Sequence, residues 1–244
     1  MGKYGSDDVG FLLIDGYDLL GSSTELSDSI EVATEESHGF SEAWVKQVST
    51  GLMTATLTQS GYFDDASANM NAALSGKSGV SRIVSYGLAG NTAGKSCVNW
   101  SGALQTNYNR IATRGELHKA KVDYQGNGIV EEGIIIQPHA QLTADGSSDD
   151  VDNGSGTAAG ATLYLQVSAI TLDALDTDCV ITVEDSDDGE AWATLATFTA
   201  VTEVPTAERK TVAGAVSRYV RVSRAFTGTG TTSTIKIMVA IKRN

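Results

Sequence analysis

The chain has 244 residues, 41% of them apolar, enough to fill the core of one large domain or two ordinary ones. It carries 30 acidic and 17 basic residues, and both sides of residue 140 are acidic, which argues against tight binding to a nucleic-acid backbone. No run of about 18 apolar residues is present to span a membrane, and the start MGKYGSDDVGFLLIDGYD lacks the basic segment and long apolar core of a secretion signal, so a cytoplasmic setting is expected.

Twenty-six glycines, two prolines and abundant Thr, Val and Ala favour strands joined by Gly-containing turns, hence a mostly β chain. Residues 1–9 read as a polar N-terminal arm, and Val9–Ile14 (VGFLLI) as a short buried strand. Tyr17–Gly39 is rich in Ser, Thr and acids and has no sustained period, so it reads as a long connection of the kind a partner orders. From Val48 to Leu74 a strand pattern turns into a helix pattern. Leu52, Thr54, Thr56 and Thr58 alternate with Met53, Ala55 and Leu57, Gly61 breaks the run, and Tyr62-Phe63 form an apolar corner. Asp64 or Asp65 is the expected cap of a short helix over Ala66–Leu74, with Met70, Ala73 and Leu74 on its buried face.

Val80–Tyr86 and His118–Tyr124 read as strands, with a weaker alternation over 97–114. Ile129–Ile136 is expected to pair with His118–Tyr124 across a Gly126–Gly128 turn and to end before Pro138. Residues 143–160 are small, acidic and Gly-rich and are expected to link a domain over 1–142 to a second over 161–244. In the second, candidate strands at 161–170, 179–185, 192–198, 209–213, 216–223 and 233–242 recur at the short intervals of an antiparallel β-sandwich.

No persuasive catalytic constellation appears, and an enzyme is not expected. Ala89–Ser96 (AGNTAGKS) fits a relaxed phosphate-loop pattern, but the CVNWSGALQ that follows has no helical repeat to aim a helix N-terminus at a phosphate; a surface loop is expected. Asp145, Asp149, Asp150, Asp152 and Asn153 match no calcium-loop spacing, and Asp185–Gly189 reads as a hairpin turn. His38, His118 and His139 are isolated, so neither a metal site nor a cofactor is expected. Cys97 and Cys179 each sit in apolar surroundings and read as separate buried thiols.

Several residues, in order, resemble the major tail tube proteins of long-tailed (siphovirus-type) bacteriophages. They are Gly16-Tyr17-Asp18-Leu19, the Ser- and acid-rich stretch after it, Gly51-Leu52 and Gly61-Tyr62-Phe63-Asp64, then Pro138-His139-Ala140, Thr143-Ala144, Val151–Gly154, Gly160, Ser186, Asp188-Gly189, Trp192, Phe198 and Arg218–Arg221. Where that family often has Asp-x-Thr, this chain has Asp28-Ser29-Ile30. The resemblance implies a mostly β fold: an N-terminal tail-tube β-sandwich with one short flanking helix, followed by an antiparallel β-sandwich. It also implies sixfold rings stacked into a hollow tube in the virion tail, assembled in the host bacterial cytoplasm. Its partners would be copies of itself, other tail proteins, and double-stranded DNA passing without specific binding, with no membrane insertion. Ring stacking falls to the loop from Asp18 to Gln47, with Asp18, Leu19, Leu20, Glu25, Asp28, Ile30, Phe40 and Trp44, and the lumen or inter-subunit sheet to Leu52, Thr54, Thr56 and Thr58. The alternatives are a module that binds host-surface carbohydrate, with Tyr164 or Trp192 as platforms, and another virion part such as a head decoration or a tail terminator.

Overall fold

The computed structural model describes residues 5, 8–37, 40 and 44–244; most of the expected N-terminal arm lies outside them. β1 (Phe11–Ile14) is buried on both faces, Leu12 and Ile14 in one core and Phe11 and Leu13 in another, as strand alternation requires. Asp15 and Gly16, at φ 48° and 83°, turn it back into β2 (Tyr17–Asp18). Positive φ at both central residues is the requirement of a type I′ hairpin turn, whose twist matches that of the strands it joins. Gly16 is further fixed by crowding, since a Cβ there would lie 2.3 Å from the Val167 carbonyl.

After a 3-10 turn at Leu20–Ser22 come β3 (Ser23–Ser37) and β4 (Lys46–Tyr62), antiparallel partners in one long ribbon. The stretch Tyr17–Gly39, expected to be an irregular connection, is therefore mostly strand. Periodicity in sequence records burial, and β3 has almost none: from Ser27 to Ser37 every side chain is exposed.

The helix α1 (Met70–Leu74) is shorter than expected, though it does bury Met70, Ala73 and Leu74. Asp64 does not cap it. Its carboxylate accepts from the Ala66 amide (2.9 Å) and the Asn69 side chain (2.6 Å), holding an irregular turn before the helix. Asn69 occupies the cap position with its side-chain amide committed to Asp64.

β5 (Ser81–Gly87), β6 (Ser96–Gln105), β7 (Asn109–Ile111), β8 (Lys119–Gly126) and β9 (Val130–Thr143) follow. β8 and β9 are not a hairpin pair. They lie end to end along one edge of β6, with Gln105↔Tyr124 at one end and Ser96↔Ile134 at the other. The turn between them is fastened to β6 instead: the Asn127 amide donates to Gly102 O (2.8 Å) and the Ile129 amide to Ser101 Oγ (2.7 Å). β9 also runs through Pro138, which sits where the register skips between Gln137 and Ala140, so the missing N–H costs no ladder bond.

Residues 143–160 hold β10 (Gly146–Ser147) and β11 (Val151–Asp152). β12 (Ala161–Thr171), β13 (Asp176–Ser186), β14 (Ala193–Thr197), β15 (Thr206–Val212), β16 (Tyr219–Gly228) and β17 (Thr234–Arg243) lie close to their expected positions. β10 and β11 pair with β16, and Val151 enters the core, so this acidic segment is bound along the sheet.

The described strands form two sheets. The larger runs β15-β12-β17-β9-β6-β5-β1-β2, with β8, β7 and the ribbon branching from β6; the smaller runs β10-β16-β13-β14, with β11 beside β16. Leu163, Leu165, Val167, Ile235, Ile237, Val239 and Ile241 on the large sheet pack against Ile181, Val183, Val220 and Val222 on the small one. β17 is buried on both sides, with Met238 and Ala240 meeting Phe11, Leu13 and Tyr164. Trp100, Tyr86, Tyr124 and α1 fill the core of the first half. Cys97 and Cys179 are free, buried and in different clusters.

Candidate assembly interface

Among the described residues, the ribbon is anchored only at its root. Thr56–Tyr62 of β4 pair with Lys119–Gln125 of β8, Leu57 is buried, and Gln59 Nε2 donates to Ser23 Oγ (2.7 Å). Outward from Ala55, the ladder of β4 has β3 as its neighbour. A two-stranded ribbon is marginal in water unless a face is covered.

Register assigns the two faces. Leu26, Asp28, Ile30 and Val32 stand opposite Gln59, Leu57, Ala55 and Met53, so the core stripe at the root continues outward as exposed apolar surface. The other face carries Glu25, Ser27, Ser29 and Glu31 against Ser60, Thr58, Thr56 and Thr54. Beyond Val32 and Met53 the ladder jumps to Thr34↔Ser49, leaving Thr50, Gly51 and Leu52 as a bulge held by Thr50 Oγ1 donating to Ala33 O (3.0 Å). Leu52 is 69% exposed and Met53 72%.

The expected interface residues divide. Glu25, Asp28, Ile30, Phe40 and Trp44 are exposed on the ribbon or at its tip, and His38, Gly39 and residues 41–43 lie outside the described residues. Leu19 is different: it is fully buried in the first-half core and offers nothing to another subunit. Leu20 is half-buried beside β3, lining a cleft with Val9, Ser23 and Leu26. Thr54 and Thr56 are exposed, whereas Thr58 donates to Asp123 Oδ1 (2.7 Å). The Asn107 and Thr58 hydrogen bonds and Lys121 outweigh desolvation and hold the Asp123 carboxyl below its usual range. Val32 and Met53, exposed beside Ile30, complete a surface that the alternation of Leu52–Thr58 only partly signals, while exposed Val48 stands opposite Glu35 on the other face.

Of the two aromatic platforms, Tyr164 is a correction. It is fully buried, and its hydroxyl donates to Glu131 and accepts from Arg209 Nε (3.1 Å). Trp192 is half-buried with Arg221 stacked 4.1 Å above its ring, and Arg221 is held by Glu184 (2.7 Å).

Asp18 lies in β2, away from the ribbon. It accepts from Lys236 Nζ (3.0 Å) and faces His139 Nδ1 at 3.8 Å, tying the first segment of the chain to the last strand. His139 Nε2 contacts Ser168 Oγ (2.8 Å). Burial keeps His139 neutral, its pKa pushed down to about 4; Asp18 opposes that shift and Lys236 adds to it. The unfolded histidine titrates near 6.5, so the unfolded state binds more protons between about pH 4 and 6.5. This contribution to stability is complete above pH 6.5 and is lost as the pH falls toward 4. His139→Gln should flatten that limb, read as the difference between urea midpoints at pH 7 and pH 5. An undiminished difference would show that His139 is not its source.

Ala89–Lys95 lies in the β5–β6 loop and Ser96 opens β6, so this stretch leads into a strand and not into a helix. Asp152 is paired with Arg218 (2.6 and 2.7 Å) and Asp145 accepts from the Phe226 amide (2.7 Å). Among the described residues no group of His, Cys, Asp and Glu is placed to hold a metal, and no helix is long and apolar enough to cross a membrane.

No family model matches the chain, and no curated protein matches it. Among solved structures it is similar to a chain in the virion of a native gene transfer agent particle, at 11% identity and TM-score 0.44 over 53% of this chain and 98% of that one. It is also similar to a chain in the tail of an empty gene transfer agent particle with C6 symmetry, at 14% identity and TM-score 0.41 over 52% and 97% of the two chains. A third similar structure is the SPP1 Dit (gp 19.1) protein, described as a paradigm of the hub adsorption apparatus of phages infecting Gram-positive hosts, at 12% identity and TM-score 0.36 over 96% and 99%.

Proposed function

We propose that this chain is a structural protein of a phage tail whose copies close into rings, hexameric ones by the sequence resemblance, and stack into the tube that conducts the genome. The observation that carries the reading is the β3–β4 ribbon, 15 and 17 residues long, with an apolar stripe left in solvent where its core support ends. A second copy laid on that stripe would supply the cover that the protomer's own sheet stops short of. The net charge of −13 suits a conduit, because an acidic wall repels phosphate and lets DNA pass without sticking. The domain division at 143–160 belongs to the same proposal, with 1–142 building the tube and 161–244 a β-sandwich accessory carried on it.

Sedimentation velocity of the full chain over a wide concentration range tests this. Growth in mass without a limiting size is the expected result. A ceiling at one closed ring would point to a tail terminator or decoration protein, and a monomer throughout would count against assembly altogether.

A further inference from the structure

We propose that the ribbon of one copy docks on a basic, apolar patch at the root of the ribbon of the next copy, formed around the β7–β8 connection. The inference rests on the assembly reading and specifies which two surfaces meet.

The patch stands out in an acidic chain. Residues 106–121 contain Arg110, Arg114, Lys119 and Lys121 against the one carboxylate Glu116, where the whole molecule carries −13. Lys121 is engaged by Asp123 (3.4 Å), and Lys119 approaches Glu116 only at 3.5 Å with both side chains more than half exposed. Apolar groups are exposed among these charges: Ile111 at 49%, Leu117 at 71% and Tyr62 at 44%. Beside them Phe63, Ile111 and Ala112 line a cavity of about 120 Å³ rimmed by Arg110, His118 and Lys119.

The ribbon is its complement in both respects. By register, Asp28 and Glu36 share the face of exposed Ile30, Val32 and Met53, and Glu25, Glu31 and Glu35 stand on the other face; Lys46 is the base of the two strands. The aliphatic face meets the apolar cavity, and the carboxylates of a ribbon one sheet thick, on both its faces, lie within a screening length of about 10 Å of the basic rim.

The two surfaces cannot satisfy each other within one copy. Tyr62, opposite Lys119, is nine residues along the same strand from Met53, about 30 Å of extended chain. The root pairing of β4 with β8 and the β3 ladder hold that strand extended. The contact is therefore between copies and joins unlike surfaces. A heterologous contact of this kind closes into a ring when its rotation allows and otherwise propagates.

Charge exchange in the full chain tests the pairing. Arg110→Glu with Lys119→Glu, and separately Glu31→Lys with Glu35→Lys, should each raise the concentration needed for assembly about ten-fold or more, since exposed attractions become repulsions. Circular dichroism and thermal melting should report an unchanged fold, because all four side chains are exposed. The fourfold variant should recover most of the loss. If the patch variant assembles like the parent while the ribbon variant does not, the ribbon docks elsewhere: this inference falls and the assembly reading stands. Failure of the fourfold variant to recover would also overturn the pairing, and a parent chain that never assembles would remove both.

Discussion

Replacing Ile30, Val32 and Met53 together by serine is expected to leave a folded monomer and to weaken self-association roughly a hundred- to a thousand-fold. The three side chains are 50%, 43% and 72% exposed, so each has a large apolar area still to bury. Completing that burial contributes about 1 to 1.5 kcal/mol per residue, and each 1.4 kcal/mol is roughly a factor of ten in association. The same exposure is why the protomer should barely notice the change: exposed substitutions usually move stability by no more than about 0.5 kcal/mol. Light scattering against concentration reads the first effect and urea unfolding the second. Unimpaired assembly would mean that the stripe faces solvent in the assembled state. A collapse of the monomer would mean that it supports the protomer's own fold.

The largest effect on the protomer itself is expected from Asp15→Ala, at about 3 to 5 kcal/mol. Arg82 is 2% exposed, and its Nε donates to Asp15 Oδ2 at 2.7 Å. Its Nη1 donates to Ala73 O (2.5 Å) at the end of α1, and Tyr17 lies under the guanidinium at 5.9 Å. The other carboxylate oxygen accepts from the Ile83 amide (2.8 Å), so one side chain ties the β1–β2 turn to α1 and β5. Alanine removes the counter-ion of a buried cation and leaves a side chain without local hydrogen bonds at φ 48°. Asparagine keeps the left-handed conformation accessible and should cost clearly less. Equal urea midpoints for the alanine variant and the parent would show that Arg82 is neutralised by other means.

The second half was legible in the sequence because its strands alternate where they are half-covered and run apolar where they are covered twice, as Leu163–Val167 and Ile235–Ile241 do. The ribbon was not legible for the same physical reason. A strand buried on neither face leaves no periodic trace, and only Leu26, Ile30 and Val32 mark the even face of β3. The Gly126–Gly128 turn carried a true local signal, but β6 presents one edge long enough for both β8 and β9, and that pairing outcompeted the hairpin. Leu19 and Tyr164 show what residue type cannot reveal: a loop leucine and a polar-tipped aromatic both lie in the interior. Of the proposed assembly surface, the sequence pointed to Ile30, Phe40, Trp44, Thr54 and Thr56. It left out Val32 and Met53, whose solvent exposure only the register and the end of the β8 pairing disclose.

On the proposed function, the exposed stripe of the β3–β4 ribbon is covered only in a stack of the chain's own copies. Negative-stain electron microscopy of the purified chain at rising concentration tests it most directly. Rings with an open centre that lengthen into tubes as concentration rises are the expected result. Single particles of protomer size at every concentration would contradict it.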